Sequence, residues 1–515
     1  MGPGNTTTLR ILLGLAAPTA GTATIDGLPY HQLPDPVRQV GAALDSNSFH
    51  PGRSAARHLR VIATATGLPR RRVDEVLGLV GLSDAAGRAV GGFSLGMRKR
   101  LSLAGALLGD PGVLVFDEPL NGLDPDGIRW LRGLLRELAA QDRIVFVSSH
   151  LLTEVAQTVD EVVVLSRGRL AAQTTLSDLV ARSSVIRVRT PDAARLLEVL
   201  AAAGMQVRLV DTSTVEARSA TADAVGVAAA AAGVTILKAL PPRRGPGEPV
   251  LRSRSAEPPE PGDGGMNGTL RLACAELRKL FTTKALPVSF AIAFVLAIGS
   301  VIIDAMVAGK NGTAPLGTDA NVYQMLKFGP ITCVVMLILG ILAAGSEFRH
   351  RTIIPVLLAT PHRTRVFAVK VAVIAGLGAV FSAVLFGLGL ATIELTLAAH
   401  GMHHLPPGVG ELYLGTVISS ACFGMIGVAL GALTRNTIGA IVAAITWALF
   451  IEQIILATIV PGIEKWLPTA AAIGLTDIPS PAHGLSPTTA GLVLAGYAIA
   501  LLVAASRTTM RRDLA

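Results

Sequence analysis

The sequence has few cysteines, few aromatic residues and few charged residues. Its three cysteines, Cys274, Cys333 and Cys422, lie far apart and form no C-x-x-C pair. This spacing argues against a disulfide framework or a cysteine-based zinc site. Charged residues make up only 16% of the chain and hydrophobic residues 51%, with a mean hydropathy of +0.55. This composition is unusual for a wholly soluble protein and predicts a membrane protein or a chain with a membrane half.

The first 180 residues alternate short apolar runs with helical stretches. The runs at 113–119 and 143–150 end in polar residues, and a segment with helical periodicity separates them. Strand, helix and strand in this order predict an α/β domain over 1–180 with its functional residues at the strand ends. Residues 185–240 read as a small accessory α/β module. The Pro- and Gly-rich segment 241–265 is expected to be a disordered linker.

Long apolar runs fill the remaining chain, from 266 to 515. A helix needs about 20 apolar residues to cross a bilayer, and six segments meet this requirement: 286–307, 328–346, 371–397, 412–434, 437–460 and 487–505. Basic residues concentrate in alternate loops and beyond both ends of this region, which predicts that both ends are cytoplasmic. Among these residues are Lys279, Lys370 and Arg435. Since the positive charge serves topology in this reading, nucleic acid is not an expected partner.

Three motifs in the first 180 residues suit phosphate chemistry. Asp117 and Glu118 end a predicted strand, where one carboxylate can hold Mg²⁺ and the next can orient an attacking water. Ser94 precedes a predicted helix, whose N-terminal N–H groups can bind an anion, although Ser94 is also a good helix cap. His150 follows the next strand, at the same predicted edge of the sheet.

In this order the motifs resemble the nucleotide-binding domain of ABC transporters, over about the first 180 residues. The resemblance implies an ABC-type α/β P-loop fold, N-terminally truncated, that binds ATP with Mg²⁺. It implies that Asp117 is the Walker B acid, Glu118 the catalytic base, Asp124 the D-loop residue and His150 the switch histidine.

The resemblance also implies that Ser94 and Gly96 form the signature motif that closes over ATP on a second subunit. The usual LSGGQ sequence is altered here at Leu95 and Met97. The resulting SLGM variant is similar to the antibiotic-exporter branch of the family.

The phosphate loop departs from the pattern G-x-x-x-x-G-K-[ST]. Alignment of TTTLR places Asn5 where the family has lysine, which removes a charge-assisted bond of about 1.5–3 kcal/mol. The preceding strand is absent from the sequence, so either the start is truncated or the domain has become a poor ATPase. We expect impaired hydrolysis. The resemblance assigns nucleotide binding here to Gly2, Gly4, Asn5, Thr6 and Thr7, and the metal to Thr6 and Asp117.

The segment 345–370 lies between the second and third predicted spans and is similar to a loop of the ABC type 2 permease family. Glu347, Arg349 and Arg351 precede an amphipathic stretch there. Such a segment can transmit motion from an ATPase domain, but positive-inside anchoring explains its charge equally well.

The expected protein is a fused ATPase and permease in the plasma membrane, acting as a half-transporter in a homo- or heterodimer. Its all-α membrane domain has six helices, its N-terminal domain is cytoplasmic, and it exports an unidentified small molecule. The alternative is a degenerate membrane subunit that hydrolyses ATP weakly or not at all and needs an intact ATPase partner. The order of motifs supports the first reading, and Asn5 supports the second.

Overall fold

The computed structural model describes residues 4–44, 48–149, 158–166, 168–176, 185–218, 222–236, 238–240, 267–310, 312–403, 405–456, 462, 464–476 and 485–511. The chain divides into two compact units. Unit 1 contains residues 1–9 and 116–257, and unit 2 contains residues 10–115 and 258–515. Much of the N-terminal α/β region therefore clusters with the apolar C-terminal region.

The described residues among the first 150 form helices interleaved with three strands. The helices are α1 (Gly4–Leu12), α2 (Pro36–Gln39), α3 (Ala55–Thr66), α4 (Arg71–Leu79), α5 (Leu95–Leu107) and α6 (Pro125–Ala139). The strands are β1 (Val40–Ala43), β2 (Val113–Asp117) and β3 (Ile144–Ser148), which lie in the order β1-β2-β3. Strands β2 and β3 coincide with the two apolar runs of the sequence, and Leu114, Val115 and Phe116 are buried.

Local capping fixes where two of these helices begin. The Ser54 side chain accepts a hydrogen bond from the Arg57 N–H at the start of α3, which ends at Gly67 with φ of +73°. Asp124 caps α6 in the same way and is followed by Pro125 at the first helical position. A polar cap, proline at the start and glycine at the end are typical helix boundaries.

Two further sheets belong to unit 1. Strands β4 (Glu161–Ser166) and β5 (Arg169–Thr175) pair antiparallel. The accessory module has strands β6 (Val185–Arg189), β7 (Gln206–Asp211), β8 (Thr214–Arg218) and β9 (Lys238–Leu240), in the order β7-β8-β6-β9. Helices α7 (Ala193–Ala202) and α8 (Ala222–Ala231) share its core with β6 and β8 through Val188, Leu196, Val215 and Val225.

The C-terminal region is helical in its described residues. Its helices are α9 (Gly268–Phe281), α10 (Ala285–Val307), α11 (Asp319–Met325), α12 (Gly329–Arg349), α13 (Ile353–Ala359), α14 (Arg363–Ala399), α15 (Val409–Thr434), α16 (Thr437–Thr446), α17 (Pro468–Thr476) and α18 (Pro487–Arg511). A π-helical segment, Trp447–Leu456, continues α16. Short 3₁₀ turns occur at Tyr30–Gln32, Ser83–Ala85, Val90–Gly92 and Glu464–Trp466.

Five helical stretches in the described part of the chain are long and apolar enough to cross a membrane: Ala285–Val307, Asp319–Arg349, Arg363–Ala399, Val409–Thr434 and Pro487–Thr508. They match five of the six predicted spans. The remaining prediction, 437–460, coincides with a shorter apolar helix, Thr437–Glu452. There the α-helix changes to π geometry at Trp447, and 457–460 lie outside the described residues. Five of the predicted spans are therefore confirmed among the described residues, and the sixth stays a prediction.

Small residues set the distance between two central membrane helices, α12 and α15. A Cβ atom added to Gly340 would lie 2.3 Å from the Gly424 carbonyl oxygen, and one added to Gly427 would lie 2.2 Å from the Leu337 carbonyl oxygen. Close backbone approach through glycine is a common way to pack helices in lipid, where the hydrophobic effect does not drive helices together.

Candidate functional site

The predicted acidic motif lies at the carboxyl end of β2, in unit 1. Asp117 is half-buried and accepts two hydrogen bonds from hydroxyl groups. Thr6 Oγ1 donates to Asp117 Oδ2 at 2.7 Å, and Ser148 Oγ donates to Asp117 Oδ1 at 2.5 Å. The Glu118 backbone N–H in turn donates to Ser148 Oγ at 3.0 Å. The structure therefore brings Thr6 and Asp117 together, although 111 positions separate them in the chain.

These groups suit a magnesium ion. Mg²⁺ prefers oxygen ligands and is usually held by one or two protein groups together with waters and phosphate oxygens. The Thr6 hydroxyl and the Asp117 carboxylate supply two such oxygens side by side. Ser148 holds the second carboxylate oxygen and thereby orients the group, as partners of metal ligands usually do.

Glu118, the candidate base, follows directly after the strand. Its backbone has φ of +48°, in the left-handed region that residues other than glycine seldom adopt. Such backbone conformations cost free energy and often mark functional sites. Glu118 is half-buried.

The candidate phosphate-loop residues form the start of α1. Gly4, Asn5, Thr6 and Thr7 lie in its first turn, with Asn5 half-buried and Thr7 exposed. A helix N-terminus presents free N–H groups and a partial positive charge, which favour an anion. Gly2 lies outside the described residues, as does His150, the proposed switch histidine.

Two other candidates serve as helix caps. Ser94 Oγ accepts a hydrogen bond from the Met97 N–H at 3.2 Å, which places Gly96 in the first turn of α5. Asp124 Oδ1 accepts from the Gly127 N–H at 3.1 Å. Capping accounts for both side chains within one chain, so contact with a second subunit remains a prediction for both.

Sequence reasoning missed Ser148. It is buried and links the Asp117 carboxylate to the backbone of Glu118. The available signal was a small hydroxyl residue at the end of β3, the strand next to the one that carries the acidic pair.

Sequence reasoning also missed a buried ion cluster in unit 2, formed by Glu276, Lys279, Glu347 and Lys370. Lys279 Nζ lies 2.5 Å from Glu276 Oε1 and 2.8 Å from Glu347 Oε1. Lys370 Nζ lies 2.5 Å from Glu276 Oε2 and 2.8 Å from Glu347 Oε1. All four residues are buried. Lys279 and Lys370 had been assigned to membrane orientation, but here two carboxylates neutralise them.

Arg53 and His58 adjoin the buried ion cluster. Arg53 Nε donates to Thr282 Oγ1 at 3.0 Å, and its NH2 group donates to the Lys279 carbonyl oxygen at 3.3 Å. Burial lowers the pKa of the Arg53 guanidinium, and Glu347 and Glu276 oppose this shift. Burial, followed by the charges of Arg53 and Lys279, lowers the pKa of His58 to about 3. His58 is therefore neutral at pH 7.

Residues 1–121 match the family model described as ABC transporter. Residues 184–246 match a model described as a domain of unknown function (DUF8746). The chain is 40% identical to the bacitracin transport ATP-binding protein BcrA of Bacillus licheniformis over 185 residues, which are 35% of this chain and 60% of that protein.

Two other relatives show similar identity. The lantibiotic transport ATP-binding protein SrtF of Streptococcus pyogenes is 32% identical over 33% of this chain and 73% of its own length. The Nod factor export ATP-binding protein I of Burkholderia orbicola is 35% identical over 39% of this chain and 69% of its own length.

The chain spans 56–64% of the length of the first four curated relatives it matches. The matched segment covers 73% of SrtF at 32% identity and 69% of the Nod factor protein at 35% identity. Matches of this length and identity establish that the chain and these proteins belong to one family. The predicted P-loop ABC fold of the N-terminal region and its fusion to a helical membrane region are thereby confirmed. The chain belongs to the ABC transporter family.

Proposed function

We propose that this protein is an ATP-driven exporter, in which a cytoplasmic ATPase domain and a membrane permease share one polypeptide. The proposal places both the N-terminal domain and the C-terminus on the cytoplasmic side of the plasma membrane. It includes assembly into a homo- or heterodimer, because one ATPase domain and one set of spans make half of such a transporter.

Packing inside unit 2 is the observation that carries this proposal. Helices α3 and α2 fall within the segment that matches the family model, and both contact α13, the short helix between two membrane spans. Helix α3 also packs along α9, which directly precedes the first span. Movement of the ATPase segment would therefore act directly on the membrane helices.

Hydrogen bonds reinforce the contact with α13. Tyr30 Oη donates to the Leu358 carbonyl oxygen at 2.8 Å. Arg363, at the start of α14, donates to the Gly14 and Leu15 carbonyl oxygens at 3.2 and 3.0 Å. Burial raises the pKa of Tyr30 above its ordinary value, so its hydroxyl stays protonated and keeps donating throughout the physiological pH range.

The proposed mechanism assigns a task to each strand-end residue. Thr6 and Asp117 would hold Mg²⁺, which neutralises charge on the transferred phosphoryl group. Glu118 would orient and deprotonate the attacking water, and His150 would contact the γ-phosphate. Ser94 and Gly96 would close over nucleotide bound to the second subunit, with Asp124 at the same subunit contact.

Peptide antibiotics are the proposed cargo class, because the names of two relatives specify bacitracin and lantibiotic transport. The test is ATP-dependent uptake of labelled bacitracin by inverted membrane vesicles. We expect Glu118→Gln to lower ATP turnover at least a hundredfold, since general-base catalysis typically contributes 10²–10⁴-fold. Uptake should fall with it.

The matched control is Asp126→Asn, which changes an exposed acid in α6 whose partner is Arg129. It should leave turnover and uptake unchanged. Undiminished turnover in Glu118→Gln would contradict the proposed site, whereas turnover without uptake of any tested peptide would contradict only the proposed cargo.

Asn5 supports a second candidate function, that of a weakly hydrolysing subunit paired with an intact ATPase. Asn5 lies in the first turn of α1, one residue before Thr6, and carries no positive charge for the phosphates. If this reading is right, Asn5→Lys should raise ATP turnover about tenfold to a hundredfold, as expected for one charge-assisted bond. Turnover that is already rapid with Asn5 would rule this candidate out.

A further inference from the structure

A cavity of about 520 Å³ opens beside the buried ion cluster, within unit 2. Its volume falls in the usual range for ligand sites. Three candidate spans supply its apolar wall, through Leu286 in α10, Leu339 in α12 and Ile374 in α14. Leu286 is the second residue of α10, and Glu347, also in the cavity wall, lies two residues before the end of α12. The cavity therefore lies at the end of the membrane helices, near one surface of the bilayer.

The polar end of the cavity carries an excess of positive charge. Four cationic and two anionic side chains line it, which gives a net charge of +2: Arg53, Lys279, Lys284, Lys370, Glu276 and Glu347. Lys284 is exposed, immediately before the first span, whereas the other five are buried. Basic pockets between membrane helices are suited to anionic lipid headgroups.

Two buried polar atoms in the same cavity wall have no hydrogen-bond partner: Glu347 Oε2 and His58 Nδ1. Each residue is only 5% exposed. A buried polar atom without a partner costs free energy, and native structures seldom leave one unexplained. The free carboxylate oxygen can only accept, so it calls for a hydrogen-bond donor in the cavity.

We propose that this cavity binds an anionic phospholipid whose headgroup carries hydroxyl groups, such as phosphatidylglycerol. Its phosphate would lie near Lys284 and Arg53, and a headgroup hydroxyl would donate to Glu347 Oε2. His58 Nδ1 would take a second headgroup contact. The acyl chains would follow the wall formed by Leu286, Leu339 and Ile374 toward the bilayer. This inference needs only the cavity within unit 2 and does not depend on ATP-driven export.

The test uses the full-length chain purified in detergent, with thermal unfolding followed during titration with lipid. Phosphatidylglycerol should raise the unfolding temperature at much lower concentrations than phosphatidylcholine, which shares the phosphate and acyl chains but has no net charge and no headgroup hydroxyl. Glycerol 3-phosphate, which offers the headgroup chemistry without acyl chains, should neither stabilise the protein nor compete with the lipid. Stabilisation by glycerol 3-phosphate alone would overturn the lipid assignment.

The variant Lys284→Glu tests whether the lipid binds at this cavity. Lys284 is exposed, so it can be changed with little effect on folding. The variant should raise the phosphatidylglycerol concentration needed for half-maximal stabilisation about tenfold. The matched control is Lys310→Glu, which makes the same change at an exposed lysine just beyond the other end of α10 and should not change this concentration. Equal responses of the two variants, or equal stabilisation by the two phospholipids, would overturn the proposal.

Discussion

Two clusters of carboxylates in this protein have opposite surroundings. At the end of β2, Asp117 is half-buried and accepts hydrogen bonds from the hydroxyls of Thr6 and Ser148. In unit 2, Glu276 and Glu347 are buried, and two lysines share them. A carboxylate held by neutral hydroxyls keeps its charge available for a metal ion. One that lysines neutralise is suited to holding helices together and poorly suited to binding a metal ion.

The comparison also separates two kinds of basic residue. Lys279 and Lys370 are buried with carboxylate partners, so they add little free positive charge at the membrane surface. Lys284 is exposed at the mouth of a cavity. A count of lysines in the sequence treats these residues alike, although only the exposed one is available to an anionic lipid surface.

The largest expected effect on stability comes from a substitution in the buried ion cluster. Lys370→Met leaves Glu347 and Glu276 with only Lys279 to neutralise them, which should lower the free energy of unfolding by about 3–5 kcal/mol. Denaturant titration in detergent measures this loss. In the double variant Glu347→Leu with Lys370→Met, the pair Glu276–Lys279 remains, and much of the lost stability should return.

Arg129→Ala is the matched control for this prediction. It breaks an exposed ion pair with Asp126 whose side chains are 75% and 80% exposed, and it should cost less than about 1 kcal/mol. A similar loss in Lys370→Met and Arg129→Ala would show that burial does not distinguish the two pairs.

A smaller effect, visible only in acid, is expected at His58. Its folded-state pKa of about 3 lies below its ordinary value of 6.5, because burial and the charges of Arg53 and Lys279 oppose protonation. The unfolded chain binds the proton first as pH falls, so stability is present above about pH 6.5 and is lost progressively toward pH 3. His58→Gln should therefore lose less stability than the parent protein between pH 7 and pH 4. If the free energies of unfolding of His58→Gln and the parent protein changed in parallel with pH, this would contradict a neutral, buried His58.

The smallest change in stability, with a clear functional effect, is expected at the strand end. Ser148→Ala removes the hydroxyl that holds Asp117 Oδ1 and accepts from the Glu118 N–H. It should lower the free energy of unfolding by about 1–2 kcal/mol. It should also raise the Mg²⁺ concentration needed for half-maximal nucleotide turnover about 10–100-fold, as is typical for groups that orient a metal ligand. Ser148→Thr keeps the hydroxyl and should retain most of the Mg²⁺ affinity. An unchanged Mg²⁺ requirement in Ser148→Ala would show that Ser148 does not orient Asp117.

The sequence predicted the acidic strand end well because the signal there is local. An apolar β-branched run followed by Asp117 and Glu118 specifies a buried strand with polar groups at its tip. Five of the predicted spans were found for a similar reason, since length and apolarity alone determine whether a helix can cross a bilayer. The helix Thr437–Glu452 lies within the sixth predicted span and continues with π geometry from Trp447. Whether this segment crosses the bilayer stays a prediction.

Capping residues show why local motifs were ambiguous. Ser94 and Asp124 were singled out for contact with nucleotide or a second subunit, and within the chain both accept hydrogen bonds from the starts of helices α5 and α6. The same side-chain types serve both purposes. Their roles in a dimer remain predictions.

By itself, the sequence determined the class of protein: a nucleotide-binding α/β region followed by apolar membrane helices. Periodicity, hydropathy and strand-end motifs depend on neighbouring residues, and neighbours are visible in a sequence. Only the tertiary structure decided that Ser148 supports Asp117, that Lys279 and Lys370 are neutralised, and that a cavity adjoins them. Apart from the pair Lys279–Glu276, which lies within one helix, these contacts join residues that lie 23 to 94 positions apart in the chain. Folding of the backbone is therefore needed to bring these groups together.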